Sequence, residues 1–152
     1  MSIKIYQTIY SKLLTDIKKL IDTYYDKDYG YYYDKFKEIE KDNKLYIGGY
    51  IYYPLSKNIN STDYISMYHV KNILRCVHEI PFVFIKMKTH KSKNCIGSYG
   101  GKHIIERYRD KINKNGDYYI SNGEFIIAML YCNFISKHTS NNINCIFNAI
   151  EI

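Results

Sequence analysis

Residues 119–130 read YISNGEFIIAML and carry the clearest structural signal in the chain. Ser121 and Glu124 have the spacing of a capping box, in which each side chain binds the backbone amide of the other residue at a helix start. The apolar run that follows predicts a short core helix over 122–132. We expect a core that contains Ile104, Ile105, Phe125, Ile126, Ala128, Met129, Leu130 and Phe147.

Hydrophobic spacing along the rest of the chain predicts an alternation of helices and short strands. Pro54 is expected to end a hairpin around Gly48-Gly49, and Pro81 to end a helix that Ser61 caps. The predicted elements are helices over 3–22, 31–41, 62–79, 98–112 and 122–132, a hairpin over 44–54, and strands over 82–88 and 142–152. This order indicates a single compact α+β domain over 1–152, with amphipathic helices packed on a small sheet.

Composition limits what the charge can mean. Ile, Lys, Tyr and Asn occupy half of the 152 positions, and all four have codons built from A and T alone. An AT-rich genome is therefore expected, as in some large DNA viruses, phages and parasites. Because that bias raises lysine everywhere, the net charge of +7 is by itself weak evidence for a nucleic-acid partner.

The apolar runs and the cysteines indicate the expected cellular compartment and whether a metal site is expected. No run approaches the roughly 20 apolar residues of a membrane span, so we expect an intracellular, soluble protein of host cytoplasm, nucleus or virion, neither secreted nor membrane-bound. The four cysteines form no C-x-x-C pair and are expected to be buried thiols in a reducing compartment. A zinc site of Cys132, His138 and Cys145 fits none of the usual finger spacings, so no metal and no cofactor are predicted.

The position of the charge is more informative than its total. Residues 86–114 hold nine basic and two acidic residues, whereas the rest of the chain is neutral. Such a segment can bind phosphates of DNA or RNA, although a solvated lysine-rich surface is an alternative interpretation. The predicted nucleic-acid-binding residues are Lys86, Lys88, Lys91, Lys93, Lys102, Arg107, Arg109 and Lys111.

We expect the protein to contact the phosphate backbone of a nucleic acid rather than to recognise specific bases. The predicted helix over 122–132 has no basic residue for a major groove, and base-reading arginines are scarce in the basic segment. Tyr99 is a candidate for stacking on an unpaired base.

The stretch SYGGKHIIER at 98–107 also invites an enzymatic interpretation. From Gly97 it is one residue short of a phosphate loop, and His103 stands where such a loop has Ser or Thr. Lys102 and Glu106 share a helix face beside His103, which makes acid–base chemistry conceivable, although a helix-surface ion pair is the commoner arrangement. The sequence therefore favours a protein without enzymatic activity.

Three sequence runs within residues 98–149 carry a resemblance to a family. The chain resembles an uncharacterised family of phage, mobile-element and large-DNA-virus proteins with SYG-x-KH-x-x-E, Y-[VI]-SNG-x-FI and N-x-x-FN runs. Gly101 stands where that family has a larger residue. The resemblance implies a viral or phage origin and brings no activity with it. The matching residues are Ser98, Tyr99, Gly100, Lys102, His103, Glu106, Tyr119, Ile120, Ser121, Asn122, Gly123, Phe125, Ile126, Asn144, Phe147 and Asn148.

A protein partner is the remaining alternative. The tyrosine-rich segment 23–53 is the candidate surface for binding a host or viral protein, with no nucleic-acid role. The sequence neither supports nor excludes that partner.

Overall fold

The structure is a computed structural model that describes residues 11–16, 29–113 and 116–152. It is an α+β fold of helices and small antiparallel sheets. Residues 11–16 are helical, and the rest of the helix predicted over 3–22 lies outside the described residues. The other helices are α1 (Tyr29–Asp42), α2 (Met67–Val83), α3 (Ser98–Ile112) and α4 (Asn122–Tyr131). The strands are β1 (Leu45–Tyr46), β2 (Gly49–Tyr50), β3 (Phe84–Lys86), β4 (Ser136–His138), β5 (Cys145–Phe147) and β6 (Ala149–Glu151).

Helix α4 lies at the centre of the described fold. Residues 122–129 are all buried, and the helix packs against α1, α2, α3 and β2. The predicted capping box is confirmed, because Ser121 Oγ accepts from the Glu124 amide and Glu124 Oε1 accepts from the Ser121 amide. A helix that is apolar on every side needs neighbours on every side.

The predicted core is largely confirmed. Ile105, Phe125, Ile126, Ala128, Met129 and Phe147 are buried in one cluster, and Ile104 and Leu130 pack against it from partly buried positions. Gly101 is buried too. A Cβ at this position would lie only 2.6 Å from the Phe125 ring. The small residue at this position brings α3 close to α4.

The strands form three separate two-stranded antiparallel sheets rather than one. They pair as β1 with β2, β3 with β6 and β4 with β5. The terminal strand predicted over 142–152 is divided at Asn148, whose side chain accepts from the Ile135 amide and donates to the Met87 carbonyl. Asn148 therefore links the ends of two sheets, and β4, which was not predicted, pairs with β5.

Helix α2 corrects two predictions. It begins after Ser66, which forms a capping box with His69, whereas Ser61 begins a short 3-10 turn. It also continues through Pro81 to Val83. Proline has no amide to donate to the Val77 carbonyl, but that carbonyl accepts from the thiol of Cys132 at 3.9 Å instead. The predicted strand over 82–88 is correspondingly shorter and occupies residues 84–86.

Candidate nucleic-acid interface

Arg109 is the first cation that the structure removes from the predicted phosphate-binding set. Its side chain is 1% exposed and donates from Nε to both carboxylate oxygens of Glu79, at 2.7 and 3.0 Å. Burial raises the pKa of Glu79, whereas Arg109 opposes that rise. Burial acts to lower the pKa of Arg109, but the Glu79 carboxylate outweighs it and the pKa is raised. Arg109 is therefore a structural ion-pair partner and cannot reach a phosphate.

Lys102 is the second such cation. It is 7% exposed, and its ammonium donates to Glu106 Oε1 at 2.7 Å and to the Ile120 carbonyl at 3.2 Å. The predicted ion pair with Glu106 exists, but it is buried rather than on the helix surface. The burial of Lys102 could not be predicted from the sequence, because the carbonyl that its ammonium binds belongs to Ile120, in a loop that follows the helix.

These buried cations hold one loop by its backbone. We call residues 117–120 the tyrosine loop, since Tyr118 and Tyr119 lie at its middle. Side chains of α2 and α3 donate to all four of its carbonyls, and the side chains of Tyr118 and Tyr119 are exposed whereas that of Ile120 is buried. The donors are Arg75 to the Asp117 carbonyl, Arg109 to those of Tyr118 and Tyr119, Asn72 to that of Tyr119, and Lys102 to that of Ile120.

Lys86 is exposed, but its ammonium group contacts other parts of the protein. Its ammonium donates to the Cys132 carbonyl at 2.7 Å and lies 4.7 Å from the centre of the Phe134 ring. Five of the eight predicted cations are exposed without such a contact to the core, and these are Lys88, Lys91, Lys93, Arg107 and Lys111.

The three lysines lie in what we call the basic loop, residues 88–93, between β3 and α3. The protein body holds this loop: Met87 exchanges hydrogen bonds with Asn148, His90 contacts the Ile135 carbonyl at 2.8 Å, and the Ile96 amide donates to Ala149. Its lysines are therefore presented by a fixed backbone.

Arg107 and Lys111 are spaced four residues apart on the exposed side of α3. The first turn of that helix offers little to a phosphate. Ser98 is fully buried, with its hydroxyl accepting from the Cys145 amide, and Gly101 is buried against Phe125. Tyr99 and Gly100 remain exposed in that turn.

The rings of Tyr99 and Tyr119 both lie within about 6 Å of the Lys102 ammonium. The Lys102 ammonium is 5.8 Å from the centre of the Tyr99 ring and 5.0 Å from that of Tyr119. Both rings are largely solvent-exposed, at 57% and 63%. Tyr119 was predicted only as part of a sequence run, because nothing in the sequence indicates that α3 carries a lysine beneath it.

Other residues of the resembling runs are structural. Asn122 donates to the Gly48 and Ile143 carbonyls and to Asn144, which ties α4 to the β1–β2 hairpin. Gly123 lies so close to that hairpin that a Cβ would be 2.0 Å from the Tyr46 carbonyl oxygen. Phe125 is fully buried in the core.

The three candidate enzymatic residues do come together. Glu106 contacts Lys102 and lies 3.6 Å from His103 Nδ1, while the His103 ring meets the edge of Tyr99. The Lys102 ammonium is shared between a carboxylate and a backbone carbonyl, an arrangement that holds the loop in place. An enzymatic role for the three stays the less favoured alternative.

The tyrosine-rich segment is partly core. Tyr29, Tyr32 and Tyr33 pack against the buried cluster around Phe36, and Tyr31 is exposed. Residues 23–28 of the segment lie outside the described residues. Tyr50 is buried in the same core, so packing accounts for four tyrosines of the segment without a partner protein.

The four cysteines are free thiols, but only Cys76 and Cys145 are buried as predicted, since Cys95 and Cys132 are partly exposed. Burial raises the pKa of Cys132 to about 11 and that of Cys145 to about 12, and it holds the pKa of Cys76 well above its ordinary value. Within the described ranges, no three His, Cys, Asp or Glu side chains are grouped to hold a metal ion.

A cavity of about 810 Å³ lies beside the tyrosine loop. Its wall includes three cations and three carboxylates, among them the pairs Arg109–Glu79 and Arg75–Asp117. These opposite charges balance, so the cavity is less suited to a phosphate than the exposed basic loop is.

Comparison with known protein families, curated proteins and solved structures finds no match. Among the helices that the structure describes, none has the length and apolar content required to cross a membrane.

Proposed function

We propose that the protein binds nucleic acid through phosphate contacts made by the basic loop and the outer face of α3. The observation that carries this proposal is the exposure of Lys88, Lys91, Lys93, Arg107 and Lys111, five cations within 24 residues of a chain that is neutral outside residues 86–114. Asp110 is the exposed acidic residue among them.

The anchored backbone of the basic loop supports the proposal further. A lysine on a fixed loop loses less conformational freedom on binding than a lysine on a flexible loop. Lysine ammonium groups also suit phosphates, which they contact as point charges without reading sequence. The protein should therefore bind many sequences with similar affinity.

Salt dependence provides the test. If the five cations each neutralise one phosphate, log affinity falls against log salt with a slope of about −4.5 on duplex DNA and about −3.5 on single strands. Fluorescence anisotropy with labelled oligonucleotides at several salt concentrations measures the slope. No binding at about 50 mM salt, where such contacts are strong, would overturn the proposal.

A matched pair of variants separates local charge from net charge. Replacing Lys88, Lys91 and Lys93 by Ala should reduce the steepness of the duplex slope by about 2.7. The control replaces Lys12, Lys41 and Lys57, which are exposed elsewhere, and changes the net charge equally. Equal losses of affinity in the two variants would show that binding follows overall charge and not this surface.

A viral or phage source, an intracellular location and membership of the resembling family stay predictions from the sequence. A protein partner is the alternative if nucleic-acid binding fails.

A further inference from the structure

We infer that Tyr99 and Tyr119 form a base-stacking pair, so that the ligand is single-stranded nucleic acid with unpaired bases. This inference rests on the proposed function, since it names the substrate class of the same surface. The stacking pair is defined by the two exposed rings that share the Lys102 ammonium.

The first step concerns how the rings are held. Each ring has the buried Lys102 ammonium over one face, and an ammonium over an aromatic ring attracts it electrostatically. The ammonium is itself fixed by Glu106 and the Ile120 carbonyl. Both rings are thus oriented before a ligand arrives, which lowers the entropy cost of stacking.

The second step concerns the backbone beneath Tyr119. The tyrosine loop has each of its four carbonyls bound by a side chain from α2 or α3. These donors include the fully buried Arg109, so the loop is secured from the interior. A loop anchored in this way presents the Tyr119 ring outward at a fixed position.

The third step concerns what such rings bind beside cations. Tyr99 lies in the first turn of α3, directly after the segment that contains the basic loop, and Arg107 lies two turns further along the helix. Exposed aromatic rings within a basic surface bind unpaired bases by stacking, while the cations follow the phosphates. Duplex bases already stack on each other and cannot use these rings, so single strands should bind more tightly.

The test compares labelled oligo-dT, oligo-rU and a duplex of equal length by anisotropy at one salt concentration. We expect both single strands to bind more tightly than the duplex, and the DNA and RNA arms to show which sugar is preferred. Tyr99→Leu or Tyr119→Leu should weaken single-strand binding by about fivefold to a hundredfold and leave duplex binding nearly unchanged. Tyr119→Phe should retain the affinity, because the ring remains.

Tyr53→Leu is the matched control. Tyr53 is 68% exposed and has the Lys57 ammonium 5.0 Å from its ring centre, but it lies far along the chain from the basic loop. Its replacement should leave single-strand affinity unchanged.

A spectroscopic signal reports stacking directly. A 2-aminopurine base in the oligonucleotide should lose fluorescence when the wild-type protein saturates it, and that loss should be smaller with the leucine variants. Salt-sensitive binding without a single-strand preference and without this signal would overturn the stacking pair and leave phosphate binding intact. Binding to none of the three oligonucleotides would overturn the proposed function and, with it, this inference.

Discussion

The guanidinium of Arg109 meets both carboxylate oxygens of Glu79, 30 residues away in the sequence, and joins α3 to α2 inside the protein. The neighbouring Arg107 points to solvent from the same helix. Two arginines that look equivalent in the sequence therefore have opposite roles, one inside the fold and one on its surface.

Replacement of these two arginines by methionine should separate those roles. Arg109→Met removes the hydrogen-bonded partner of the buried Glu79 carboxylate, which then keeps the more distant Arg75 Nε at 3.7 Å, and should lower the free energy of unfolding by about 3 kcal/mol. Arg107→Met removes an exposed charge and should change it by less than about 0.5 kcal/mol. Urea denaturation followed by circular dichroism measures both, and similar losses would contradict the buried pair.

The N-cap of α4 gives a smaller, local prediction. Ser121→Ala removes the acceptor of the Glu124 amide and should cost about 1 kcal/mol of stability, while oligonucleotide affinity stays unchanged. Ser56→Ala, at an exposed position in a 3-10 turn, is the control and should be nearly neutral. A Ser121→Ala protein that keeps its stability but loses binding would assign Ser121 to the ligand instead.

Two glycines in first helical turns form a matched pair. A Cβ at Gly123 would lie 2.0 Å from the Tyr46 carbonyl oxygen, whereas one at Gly100 would meet nothing within 4 Å. Gly123→Ala should therefore destabilise the protein by about 2–3 kcal/mol through overpacking. Gly100→Ala should be neutral or stabilise it by about 0.5 kcal/mol. The unfolding midpoints of the two variants decide this, and equal midpoints would count against the close approach of α4 to the hairpin.

The thiols predict a reactivity order and a pH dependence. At about pH 8, a thiol with the pKa of about 11 found for Cys132 is about one-thousandth thiolate, and Cys145 less still, so iodoacetamide should modify Cys95 first. Peptide mass mapping over time measures that order.

The raised pKa of Cys145 also affects stability. The unfolded thiol ionises near pH 9 and the folded one near about 12, so stability should fall as pH rises through this interval. Cys145→Ala should show a weaker fall than the parent between about pH 8 and pH 10, where unfolding is measured in urea. Parallel curves for the two proteins would contradict the raised pKa.

Local signals in the sequence were reliable where the partners are near in the chain. Ser121 and Glu124 are three residues apart, and their capping box could be recognised without knowledge of the fold. The pair of Lys102 and Glu106, four residues apart on one helix, was recognisable for the same reason. Both depend on helix geometry alone.

Predictions that depended on distant partners were wrong or incomplete. Pro81 was expected to end its helix. The Val77 carbonyl, which receives no amide from proline, instead accepts from the thiol of Cys132, which is remote in the sequence. Arg109 was assigned to phosphates because Glu79 lies on another helix. The contact between Tyr119 and Lys102 could not be predicted for a related reason, since the two residues meet only when the tyrosine loop packs beside α3.

The pairing of residues 145–151 has a consequence for synthesis of the chain. Strands β3 and β4 and the segment before α3 all find their partners in this late stretch, with Asn148 between them. Until this stretch has been synthesised, β3 and β4 lack their partner strands. Both sheets can therefore be complete only once translation has passed residue 151.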